Sequence, residues 1–170
     1  MRKLLPIVVG TFLLATFVSC GNDRETSGAK STLAGAWKSR IQFQSGSLAS
    51  VKDLEFMYVF NKGGTMTESS NYDAAPPVPP AYGVWRSVGS NQFEARYEFY
   101  MTRKPAPEEA AIPTDGWLPG GHGVLTEKIN LSADGNSFSS GIQYEVFDPS
   151  GKRSPGGGTG TGNAARLTFK

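Results

Sequence analysis

The sequence predicts an all-β domain of about eight strands, arranged as an antiparallel up-and-down barrel, with a β-sandwich as the alternative. Three observations lead there. Apolar and polar residues alternate with period two through much of the chain from Leu33 onward. Short turns rich in Gly, Asn and Asp separate the alternating runs. No stretch repeats its apolar residues with the period of an amphipathic helix. Antiparallel strands in such number must pair or close to hide their edges, and a closed barrel does this while leaving room for a small ligand.

Each element has its own signal. Trp37, Ser39, Ile41 and Phe43 fall on one face of the first strand, with Lys38, Arg40, Gln42 and Gln44 on the other. Leu54, Phe56, Tyr58 and Phe60 continue the pattern, and Asn61-Lys62-Gly63-Gly64 turns the chain into a return strand, Thr65 to Ser70. A Pro-rich break, Ala74 to Ala81, precedes a strand from Tyr82 to Val88. The clearest alternation follows: Phe93, Ala95, Tyr97, Phe99 and Met101 against Glu94, Arg96 and Glu98. Lys104 to Gly123 reads as a long Pro/Gly-rich loop with one helical turn at Pro107 to Ala111. Val124 to Leu131 is a strand, Ser132 to Asn136 a tight connection, and Phe138 to Phe147 a strand with Phe138, Ile142, Tyr144 and Val146 together. Ser154 to Gly162 reads as a Gly-rich loop leading to a last strand, Ala165 to Phe169.

The N-terminus carries an address. Met1-Arg2-Lys3 is basic, Leu4 to Phe17 is almost wholly apolar, and the run ends Ser19-Cys20-Gly21. The apolar stretch is too short for a comfortable membrane span, which needs ~20 residues. It is similar to the signal of bacterial lipoproteins, in which the cysteine after the apolar run is lipidated and becomes the new N-terminus. That resemblance implies a signal peptide over residues 1–19, lipid attachment at Cys20, and a cell-envelope lipoprotein held to a bacterial membrane by acyl chains such as palmitate. Gly21 after the cysteine points to the outer membrane, facing the periplasm or the surface. Residues 20–32 are then a polar tether around Asp23, Arg24, Glu25 and Lys30, and residues 33–170 the folded domain. Cys20 is the one cysteine of the 170-residue chain, so no intrachain disulfide forms.

The formal net charge is +2, and Arg2 and Lys3 leave with the signal. The remainder is near neutral, without the charge footprint of a nucleic-acid binder.

Gly35-Ala36-Trp37, at the start of the first strand, resembles the Gly-x-Trp signature of lipocalins and their bacterial lipocalin-like relatives. The resemblance implies that Trp37 plugs the closed end of a barrel and that an Arg from near the last strand, here Arg166, lies across it. It assigns Gly35, Trp37 and Arg166 structural roles.

No catalytic motif is recognisable. His122, the single histidine, sits in Gly120-Gly121-His122-Gly123 and reads as a solvated loop residue, with no second His or free Cys to complete a zinc set. The Gly156–Gly162 run lacks the Gly-Lys-Ser/Thr ending of a phosphate loop. No metal and no cofactor is assigned. Glu127, between Leu125 and Ile129, sits on what reads as an inward face, where a carboxylate needs a partner or a raised pKa; Arg86, between Val84 and Val88, is a candidate partner, and a bulge that turns either outward is the competing reading. The expected ligand-binding residues are Phe56, Tyr58, Tyr97, Phe99, Glu127 and Tyr144. The leading expectation is a lipoprotein that holds a small apolar or amphipathic molecule in its barrel. The alternative is a non-enzymatic structural or interaction lipoprotein with a filled core, meeting a protein partner through Tyr72–Tyr82 and Lys104–Gly123. A barrel enzyme ranks third.

Overall fold

The computed structural model describes residues 32–72, 79–109 and 116–169. Among them run β1 (Gly35–Phe43), β2 (Leu54–Phe60), β3 (Thr65–Ser70), β4 (Ala81–Ser87), β5 (Gln92–Arg103), β6 (Leu118–Leu131), β7 (Ser137–Phe147) and β8 (Arg153–Arg166). Each strand pairs antiparallel with the next, and β8 returns to β1, so the eight strands form a closed up-and-down barrel. This is the lipocalin-like arrangement rather than a sandwich. One turn of 3-10 helix, Pro107–Glu109, falls where the sequence suggests a helical turn. Cys20 and its tether, residues 73–78 and residues 110–115 lie outside the described residues.

Alternation in sequence becomes alternation in burial. β1 buries Trp37, Ser39, Ile41 and Phe43 and exposes the residues between them; β2 buries Leu54, Phe56, Tyr58 and Phe60, with Glu55 half-buried and Met57 and Val59 exposed. The strands differ most from expectation in β6 and β8, and the last strand ends at Arg166 rather than Phe169. β6 begins at Leu118, not Val124, so Leu118 to Gly123 is strand rather than loop, and its pairing with β5 shifts register between Met101 and Thr102. His122 is therefore a strand residue, stacked on Phe147 with ring centres 4.9 Å apart.

The larger correction is β8. Arg153 to Arg166 is a single fourteen-residue strand, and the Gly-rich segment is its body rather than a loop. Gly weakens a strand in isolation, but it marks close approach of other groups. A Cβ on Gly158 would sit 2.0 Å from the Ser45 carbonyl oxygen, and one on Gly162 would sit 2.7 Å from Ser140 Oγ and 2.9 Å from Ile41 Cδ1. The closing strand packs where side chains have no room.

The two ends of the barrel differ. At one end Trp37 and Phe138 pack with centroids 5.0 Å apart, and Tyr58 stacks on Phe60 at 5.4 Å. Trp37 Nε1 donates to the Leu33 carbonyl at 2.9 Å. The Arg166 guanidinium covers the Trp37 ring at 4.1 Å, closing this end. Gly35 has φ +138°, and a Cβ there would lie 2.5 Å from Arg166 Nη1. The glycine of Gly-x-Trp thus gives the guanidinium its path.

Candidate functional site

The opposite end is hollow. There the strands begin or end at Phe43, Leu54, Ser70, Ala81, Arg103 and Phe147, and a cavity of about 270 Å³ opens between them. Phe56, Leu125, Phe99, Tyr144 and Leu54 form its apolar wall, Glu68 supplies a carboxyl, and Leu48, Tyr72 and Pro79 stand in the connections at its rim. Phe99 and Tyr144 stack at 6.1 Å across the β5–β7 side. Gly123 lies between them on β6; a Cβ there would meet Phe99 Cζ at 2.5 Å and Tyr144 Cε2 at 2.9 Å. A small residue on the middle strand lets two rings from its neighbours face the cavity together.

Beneath the cavity lies a polar layer. Glu127, on the inner face of β6, is fully buried. Tyr97 Oη donates to its Oε2 at 3.0 Å, and Tyr58 Oη to its Oε1 at 3.5 Å. Burial pushes the Glu127 carboxyl above its ordinary range, opposed by the hydroxyls of Ser140, Tyr97 and Tyr58. Ser140 Oγ stands close enough to oppose the rise without completing a hydrogen bond. Burial, then the Glu127 charge, pushes both tyrosine hydroxyls well above their ordinary value.

Glu68, on β3, is the second interior carboxyl and is 7 % exposed. Its Oε1 has no hydrogen-bond partner. Burial, and then the charge of Glu127, pushes its carboxyl up to about 8. At neutral pH it is therefore largely a protonated acid, able to donate as well as accept.

The expected ligand residues separate into two groups. Phe56, Phe99 and Tyr144 line the cavity. Tyr58, Tyr97 and Glu127 form the hydrogen-bonded layer below it. Glu127 does face inward, but Arg86 is not its partner. Arg86 lies on the outer face of β4, where its Nη2 meets Glu94 Oε2 at 2.7 Å. Val84 and Val88, which suggested an inward face, are 59 % and 49 % exposed; Gly83 and Trp85 are the inward-phase residues of that strand. Glu68 carried only a faint sequence signal, its two-residue spacing from Met66 in an otherwise polar strand.

No protein-family model matches this chain, and no curated protein matches it by sequence. Its function is argued from the site itself.

Proposed function

We propose that this is a lipid-anchored protein of a bacterial cell envelope that holds a small apolar or amphipathic molecule in the open end of its barrel. The cavity carries the reading: an aromatic and aliphatic wall with one buried acid is the usual composition of a ligand site, apolar for affinity and sparsely polar for orientation. At about 270 Å³ it is just below the ~300–1,000 Å³ of pockets for drug-sized ligands, so it suits a small ligand. The lower interior is packed, which leaves the filled-core reading only that half of the barrel. Glu127 is sealed beneath, so among the described residues Glu68 alone brings a carboxyl to the cavity; this favours binding over paired acid–base chemistry. The anchor rests on the apolar run ending at Cys20.

The test is uptake of a neutral fluorophore, N-phenyl-1-naphthylamine, by the folded protein. Saturable, blue-shifted emission is expected, weakened at least several-fold by Phe99→Ala. Emission no different from that with the urea-unfolded chain counts against a ligand site.

A further inference from the structure

We infer that the open-end cavity selects small organic cations, seating an ammonium group against Glu68 and a short apolar or aromatic body against Phe56, Phe99 and Tyr144. This rests on reading the cavity as a ligand site and adds the charge of the ligand.

Three observations carry it. First, Glu68 lines the cavity, is almost wholly buried, and has an oxygen without a partner. A buried acceptor left unpaired is costly and is usually satisfied by something. Second, none of the described residues lining the cavity is basic, and the sequences of 73–78 and 110–115 contain no Lys, Arg or His. The basic residues in the connections at this end stay off its described lining: Arg103 pairs with Glu109, Arg153 with Glu145, Lys104 lies over the Trp117 ring at 5.6 Å, Lys152 stands by Asp148, and Lys52 is exposed. The groups facing Glu68 from neighbouring strands add no positive charge. β2 brings Phe56 and Tyr58, β4 brings Ala81, β5 brings Tyr97, and β6 brings a second acid, Glu127. Third, the wall is aromatic, and ring faces attract cations, best where water is excluded.

An anion entering this space meets two carboxyls and, among the described lining residues, no compensating charge. A neutral molecule can bond Glu68 but gains nothing from the field of Glu127. An ammonium gives Oε1 a donor and offsets both acids. The exchange is balanced: the ammonium enters, the Glu68 O–H bond breaks, its proton passes to solvent, and a carboxylate–ammonium pair remains.

The test compares three ligands of similar size on the full chain in nonionic detergent: 2-phenylethylamine, 3-phenylpropan-1-ol and 3-phenylpropanoate, each displacing N-phenyl-1-naphthylamine. The amine is expected to bind at least tenfold more tightly than the carboxylate at pH 8. Its affinity should rise between pH 6 and 8, by at most ~10-fold per pH unit, because binding releases a proton. Glu68→Gln should abolish both the preference and the pH dependence, while still binding the alcohol, which shows that the pocket is intact. If the alcohol or carboxylate binds as well as the amine, or the preference survives Glu68→Gln, the charge assignment is wrong and the ligand site stands. If neither the fluorophore nor any of the three binds, the ligand site itself is wrong.

Discussion

Arg166 lies with its guanidinium carbon 4.1 Å from the centre of the Trp37 ring, and its nitrogens donate to the carbonyls of Gly135, Ala34 and Thr32 at 2.7–2.9 Å. One side chain thus ties the last strand, the β6–β7 turn and the chain entering β1 over a buried indole. Trp37→Ala is expected to cost ~3–5 kcal/mol, the usual range for a buried Trp. Arg166→Ala should cost less, and the double mutant less than the two singles together, because the side chains touch. Urea denaturation of the four proteins measures this. Strict additivity would mean that the contact contributes nothing.

Stability should fall as pH rises through neutrality. The Glu68 carboxyl stays protonated in the fold up to about 8, whereas an unfolded Glu ionises near 4.5. Between those values the native state holds more protons, so the contribution is full below about 4.5 and is lost toward 8. The slope is at most ~1.4 kcal/mol per pH unit for one group, and the raised Glu127 acts in the same direction. Glu109 acts oppositely: hydrogen bonds from Arg103 and Ala106 hold it at about 2, and its contribution fades as pH falls below 4.5. Urea midpoints between pH 4 and 9 should decline above pH 5, and less steeply in Glu68→Gln. A wild-type midpoint that climbs from pH 5 to 8 contradicts this.

The glycines of β8 should not be equivalent. A Cβ on Gly158 meets backbone, the Ser45 carbonyl oxygen at 2.0 Å; one on Gly162 meets the ends of side chains that can turn aside. Gly158→Ala is expected to destabilise by ~1–3 kcal/mol, as overpacking does, and Gly162→Ala by less. Thermal melts of the two variants decide the order.

Cys20→Ala should release the protein from membranes or block its processing, since Cys20 is the only residue in the chain that can take the lipid of a lipoprotein signal. Fractionation of cells with detection of the processed form checks it. A variant processed and membrane-bound like wild type would remove the anchor from the account.

Much of the barrel was legible because half-buried strands write their burial as alternation: Trp37 to Phe43, Leu54 to Phe60 and Phe93 to Tyr97 carry it without interruption. The closing strand was illegible for the same reason. Gly156–Gly162 has no side chains to alternate, and the need for glycine arises from Ser45, Ile41 and Ser140, distant in sequence. The inner face of β4 was misread because exposed Val84 and Val88 outweighed Gly83 and Trp85. For Glu127 the apolar neighbours Leu125 and Ile129 gave the inward direction. Its partners Tyr58 and Tyr97 could not be read, since the barrel alone brings strands β2, β5 and β6 to one point.

The hollow end is the central claim, and mapping where a neutral ligand binds tests it most directly. NMR spectra of the folded protein titrated with 3-phenylpropan-1-ol should show saturable shifts at Phe56, Phe99, Leu125 and Tyr144, with Trp37 and Phe138 at the sealed end unmoved. Shifts confined to the outer wall, at residues such as Tyr82 and Val84, or no saturable shifts at all, would contradict it.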